Sequence, residues 1–324
     1  MGELHWGLPV IGYLFLAGMG AGAMTVSASV LLRGGGGFFG GQHFRIARYG
    51  ALIAPLPLMA GTGMIVFELG TFQVGMREFD FSLLFRWINL FKTLNMSPMS
   101  IGSWVLGLCI MLSLVYAWTF LSAHARDDDT FRQLRNALAW VSIPLGIAVA
   151  VYTGILLGAM PSRPFWNSQI LGLLFMLSAL STGVAGILFL YAFHRTEENN
   201  HAARHDAGYI LAASDAILIG FELLVIFLFI MFAHLTVGDP AHAIAVILPG
   251  GSLAVLFWIG VVVFGLVVPA LVELHHVLPR LLHQKPYLVK RWVEVAIGAM
   301  VLGGGLLLRY VIVVAGQVTG PVGI

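Results

Sequence analysis

Asp215 and Glu222 are the residues in this sequence best placed to do chemistry. They stand seven apart in a long apolar run, two helical turns, so they share one face of a helix. Glu273 ends a second apolar run and is followed by His275 and His276. Ionisable groups inside an apolar span are costly to keep and point to function by default. A carboxyl group removed from water holds its proton more readily, so near neutral pH it can both take one up and release it. Asp215, Glu222, Glu273 and His275 are therefore the candidates for a proton half-channel. The structural alternative is that the acids bond Ser, Thr or backbone groups of neighbouring helices and only orient them.

A second set of polar residues falls at the opposite ends of the apolar runs: His5, Tyr13, Glu68, Tyr152 and, in the last run, Arg309. Tyr152 precedes Thr153-Gly154, which leaves the backbone beside it open. A phenol at that depth can hydrogen-bond a quinone carbonyl while aromatic neighbours pack on its ring. It can equally be an interfacial tyrosine of the aromatic belt. Redox metals find few ligands here. The single Cys109 excludes a disulfide framework, a Cys-ligated iron–sulfur cluster and a structural zinc. Of the eleven His, none falls near the middle of an apolar run, where a bis-His heme would need them. We expect no heme and no iron–sulfur cluster on this chain.

Composition decides what must position these groups. Of the 324 residues, 59% are hydrophobic and 10% charged, with mean hydropathy +0.92. A soluble domain carries about a quarter charged residues, and a soluble chain this apolar would expose large sticky patches. The net charge of +2 gives no basic patch for nucleic acid. The fold class is all-α and polytopic. Eight runs reach the roughly 20 apolar residues that cross a bilayer: 8–32, 48–70, 98–122, 138–159, 169–193, 209–234, 251–275 and 293–315. They are continuous rather than alternating, which excludes a β-barrel. The N-terminus has no positive region and no cleavage site before its apolar run, so it does not read as a cleavable signal peptide.

Lys and Arg set the orientation. Twelve fall in or beside the loops 33–48, 123–137, 194–208 and 276–292, and four on the other side: Arg77, Arg86, Lys92 and Arg163. This predicts both termini outside, on the periplasmic side of a bacterial inner membrane. The loop 71–97 is outside and mostly apolar. Phe81, Leu84, Ile88 and Phe91 recur at helical spacing, opposite Arg86, Asn89 and Thr93. That pattern predicts an amphipathic helix flat on the outer surface, either a lipid-anchored connector or a platform for an extracytoplasmic partner. Arg77, Arg86, Lys92 and Arg163 are the candidate docking residues. Gly18 with Gly22, and Gly154 with Gly158, have helix-packing spacing. Gly303–Gly305 should loosen the last helix, and Pro144 and Pro269 should kink theirs.

Several stretches carry a family resemblance. They are His5-Trp6 with the run 13–23 (YLFLAGMGAGA), Glu68-Leu69-Gly70, 97–104 (SPMSIGSW), Tyr152-Thr153-Gly154, 163–166 (RPFW) and 308–317 (LRYVIVVAGQ). In this order and spacing the chain resembles the NrfD/PsrC family, integral membrane subunits of polysulfide-reductase-type and nitrite-reductase-type complexes. The resemblance covers essentially the whole chain. It implies two four-helix bundles, here 1–160 and 161–324. It places a menaquinone or ubiquinone site in the first bundle near the outer face. It also implies a docked, ferredoxin-like iron–sulfur subunit leading to a catalytic subunit. Tyr152 matches the tyrosine that the polysulfide reductase subunit uses at its quinone. Pro9 and Gly12 stand where that subunit has an Asn and a His, so His5, Tyr13 and Glu68 are candidates to take their place.

The main expectation is a quinone-reactive membrane anchor of a respiratory oxidoreductase, with a proton route in its second half. A secondary transporter or proton channel using Asp215, Glu222 and Glu273 is the rival, against which no inverted repeat with paired broken helices is visible. A passive anchor without a quinone site is the third. The substrate of the distal subunit, the direction of electron flow and whether this chain is itself catalytic are decided outside it. The twelve-to-four bias makes one direct prediction: a reporter fused to the C-terminus is active outside the cytoplasm. A tail reporter active only in the cytoplasm overturns the orientation.

Overall fold

A computed structural model describes residues 6–34, 42–71, 88, 97–121, 129–193 and 201–320. Among them every long element is helical and no strand occurs. In chain order these are α1 (Leu8–Arg33), α2 (Gln42–Ile53), α3 (Pro55–Thr71), α4 (Pro98–Leu121) and α5 (Asp129–Gly158). They continue with α6 (Ile170–Phe193), α7 (His201–Leu235), the short α8 (Asp239–Ile244), α9 (Leu256–Val267), α10 (Val268–His283) and α11 (Arg291–Val318). Eight helical stretches are long and apolar enough to cross a membrane. The second is α2 with α3, broken at Ala54 because Pro55 has no N–H to continue the ladder. The seventh is α9 with α10. The expected amphipathic helix at 77–95, with Arg77, Arg86 and Lys92, lies outside the described residues.

Large apolar side chains cover the outside of this bundle, among them Leu108, Met111, Trp118, Trp140, Phe221 and Phe264. In lipid such a surface costs nothing, while each backbone polar group must be bonded within its own helix. Small residues instead mark the places where helices meet. α1 packs against α2, α3, α5 and α6, and α6 against α1, α5, α7 and α11. Where α1 crosses α6, a Cβ on Gly22 would run into the Ala179 carbonyl, and one on Gly183 into the backbone of Gly22 and Ala23. Gly18 meets the Ala179 side chain at the same crossing. The Gly18/Gly22 spacing is thus a packing device. α11 runs unbroken through Gly303–Gly305, because Gly304 sits directly on Gly265 of α9. The anticipated bend at Pro269 takes another form. Leu256–Val267 is a twelve-residue π-helix, and it gives way to α-helix just before the proline.

One end of the bundle is closed by a polar clamp. The Trp6 N–H donates to Gln317 Oε1 (2.9 Å) and Gln317 Nε2 donates to the Trp6 carbonyl (3.0 Å). Arg163 Nη1 donates to the Gln317 carbonyl (3.0 Å), and Trp166 Nε1 to the Ile312 carbonyl (2.7 Å). The Trp6 and Trp166 rings stack at 5.2 Å. Trp6, the last turn of α11 and the turn between α5 and α6 therefore share one end of the bundle. At the other end Arg291 Nη2 donates to the Phe193 carbonyl (2.9 Å), and Arg280 pairs with Asp206.

Candidate functional site

Two groups of polar side chains lie inside the bundle. The first is near the clamp. Tyr13 is buried one turn into α1, and Tyr152 is half-buried six residues before the end of α5. The two phenols are close enough to act on one another electrostatically. Tyr152 lies flat over Gly102 of α4, where any Cβ would collide with its ring. The stretch 97–104 thus makes room for the Tyr152 ring. Glu68 falls on the last turn of α3, and His5 lies outside the described residues. Arg163 is tied to the Gln317 carbonyl, so it holds the clamp. Among the described residues no group of three or more His, Cys, Asp or Glu could hold a metal ion. A phenol pair in an apolar surround suits instead a neutral ring with carbonyl acceptors.

The second group runs along the α6–α7 seam. Ser178 and Ser181 stand on one face of α6, opposite Glu222 and Asp215 of the antiparallel α7. Ser181 Oγ donates to Asp215 Oδ1 at 2.7 Å. Glu273 of α10 faces Asp215 at hydrogen-bonding range, so the two carboxyl groups can share a proton. Glu222 lies beside Ser178 and within electrostatic reach of Arg309 from α11. Arg309 is completely buried. Its Nη1 donates to Ser178 Oγ and to the Gly305 carbonyl (3.2 Å), its Nη2 to the Phe175 carbonyl (3.3 Å), and its charge lies 4.9 Å from the Phe175 ring centroid. Asp215, Glu222 and Glu273 are all at most 2% exposed.

The three acids are therefore brought together, in the order Glu273, Asp215, Glu222, leading to Arg309. His275 is not among them. It lies two positions beyond Glu273, about 200° around the helix, exposed and edge-on to His276 at 5.2 Å. Residue-type reasoning passed over Ser178 and Ser181, although a Ser-x-x-Ser spacing in an apolar span is a signal for a polar seam. The end of this row reaches the first group. Arg309 Nη2 lies 3.5 Å from where a Cβ on Gly18 would stand. Gly18 is five residues, about 7.5 Å of helix, from Tyr13 on the same α1.

Similarity to known proteins runs along the chain from end to end. A family model described as "Polysulphide reductase, NrfD" matches residues 1–321. A polysulfide reductase component from Wolinella succinogenes is 30% identical over 97% of this chain and 94% of its own length. Protein NrfD of Escherichia coli is 28% identical over 98% and 96%. A selenate reductase component from Mesobacillus selenatarsenatis is 25% identical over 82% of this chain and 66% of its own.

Arg309 and Glu222, opposite charges that both lie beside Ser178 and within electrostatic reach of each other, carry a stability prediction. Removing one partner of a buried ionic pair costs about 3–5 kcal/mol, because the other is left uncompensated. Arg309→Met is expected to destabilise the protein on that scale in chemical unfolding from mixed micelles. Glu222→Met should relieve part of the loss, with a coupling of about 0.5–3 kcal/mol. Strict additivity of the two changes would mean that the side chains do not interact.

Proposed function

Since this chain belongs to the polysulphide reductase NrfD family, we propose that it is the quinone-reactive membrane subunit of a respiratory oxidoreductase. It exchanges electrons between membrane quinone, menaquinone or ubiquinone, and an iron–sulfur subunit docked at the clamped end. Through that subunit it serves a catalytic one. The twelve-to-four distribution of Lys and Arg supports a periplasmic clamp and a cytoplasmic opposite end. The observation that carries the reading is that Tyr13 of α1 and Tyr152 of α5, packed against Gly102, lie within electrostatic reach of each other near the clamp. A quinone supplies the two-electron, two-proton chemistry that a chain with one Cys lacks. Tyr152, half-exposed, is the donor to a carbonyl oxygen. Tyr13 lies within electrostatic reach of it, and Glu68 and His5 are the further candidates to bind the quinone ring. Arg77, Arg86 and Lys92 remain the candidates for contact with the partner.

Residues 1–160 form the quinone-handling half in this reading, and 161–324 the proton-handling half. Protons enter from the cytoplasmic end at Glu273 and pass to Asp215 and then to Glu222. The serines accept and donate between them. Arg309 holds a fixed positive charge at the far end, beside α1.

Two variants test the two halves. Tyr152→Phe keeps the ring packed over Gly102 and removes only the hydroxyl. A hydrogen bond contributes about 0.5–1.5 kcal/mol net, so quinol turnover by the assembled complex should fall roughly tenfold. Wild-type turnover would move the site away from α5. Glu222→Gln keeps size and polarity but cannot titrate. Proton uptake by the complex in proteoliposomes should fall while quinone binding survives. An unchanged proton-to-electron ratio and rate would make Glu222 a structural group.

A further inference from the structure

Glu273 needs a connection to water, and the α10 surface does not supply one through His275. What covers Glu273 and Asp215 on the Arg- and Lys-rich side is Tyr287. It lies in the extended segment between α10 and α11 and is 3% exposed. Tyr287 packs on Val277 of α10, one turn from Glu273, and on Ala212 of α7, one turn short of Asp215. Its ring therefore sits beside the acid pair, within electrostatic reach of Glu273. Glu294, in the first turn of α11 and 6% exposed, is also within electrostatic reach of Tyr287. Both groups converge on Gly208. A Cβ there would stand 3.0 Å from Glu294 Oε1 and 3.1 Å from the Tyr287 ring. Around them Arg280 pairs with Asp206 and covers the Tyr209 ring at 4.4 Å. Tyr209 in turn meets the Tyr287 ring edge at 6.1 Å.

We propose that Glu294 and Tyr287 are the entry of the proton route. Glu294 takes up protons beside the Arg- and Lys-rich surface, and the Tyr287 hydroxyl passes them to Glu273 through intervening water. This rests on the proton route proposed above and extends it to residues of the 284–294 segment. The transfer balances at one oxygen. The hydroxyl accepts a proton from the Glu294 carboxyl as its own proton moves to the Glu273 carboxylate, so no charge stays on the phenol. Burial and the two nearby carboxyl groups hold the Tyr287 hydroxyl above its usual range, which keeps it protonated between transfers. The Arg280–Asp206 pair and the Tyr209 ring close the surface around this entry.

The test uses the whole complex in proteoliposomes, with quinol turnover and proton uptake from the Arg- and Lys-rich side measured together. Glu294→Gln and Tyr287→Phe should each slow proton uptake on the order of 10²-fold, the scale of a positioned proton-transfer group. Glu294→Asp, which keeps a carboxyl, should retain most of the uptake, a rescue that a packing role would not give. If Tyr287→Phe fails to assemble, the Glu294 pair of variants decides alone. Wild-type uptake in Glu294→Gln, with uptake lost in Glu222→Gln, overturns the entry and leaves the route standing. Wild-type uptake in both overturns the two together. Loss in Glu294→Gln alone supports the entry and removes Glu222 from the route.

Discussion

A charge inside lipid must find its partners within the protein, and this constraint organises the middle of the bundle. Arg309 cannot be neutralised by solvent, so it is bonded to Ser178 and to the Gly305 and Phe175 carbonyls and lies over the Phe175 ring. Those partners fix how α11 sits on α6. Ser178 then stands one turn from Ser181, which bonds Asp215 and fixes how α6 sits on α7. One polar seam thus sets two helix interfaces that apolar side chains alone would leave free to slide, since lipid is as apolar as they are.

The second constraint is distance between backbones. Gly22 and Gly183 allow α1 to touch α6 along its axis, and this contact draws Arg309 to the helix that carries Tyr13. A larger residue at the crossing would separate the seam from the tyrosine pair. Gly265 on Gly304 does the same for α9 and α11. The π-helical turn of α9 belongs to this arrangement. Its wider winding changes the register of the seventh span before Pro269, and with it the direction in which Glu273 points.

The spans were legible in the sequence because each is a continuous apolar run, and lipid admits one solution for such runs. The acids were legible because an ionisable group stands out against that background. Their partners were not, because Ser178 and Ser181 resemble the small packing residues common in membrane helices. Composition also misled at His275, whose chemistry fits a proton route while its angle on α10 faces away from Glu273. Tyr287 and Glu294 escaped notice because both fall near a loop, where polar residues are ordinary. Only tertiary packing brings them together, against Gly208 of α7. Arg163 read as a docking residue from its side of the membrane, yet its guanidinium donates to the Gln317 carbonyl.

The division of labour between the two groups has an energetic consequence. Cys109 is the lone cysteine and no His lies at mid-depth, so the sequence offers no ladder of metal ligands on which an electron could cross the membrane. Electrons in the proposed reading enter and leave at the clamped end, beside Tyr13 and Tyr152. Protons drawn through Glu294, Tyr287, Glu273, Asp215 and Glu222 would then travel most of the thickness of the bilayer to meet them. In that reading the charge moved across the membrane in each turnover would be carried by protons, and each elementary charge moved is worth about 2.3 kcal/mol per 100 mV of potential. A seam built only to orient helices would do no such work. A row of three buried carboxyl groups, ending at the fixed positive charge of Arg309, supplies the groups that would carry that charge in the proposed reading.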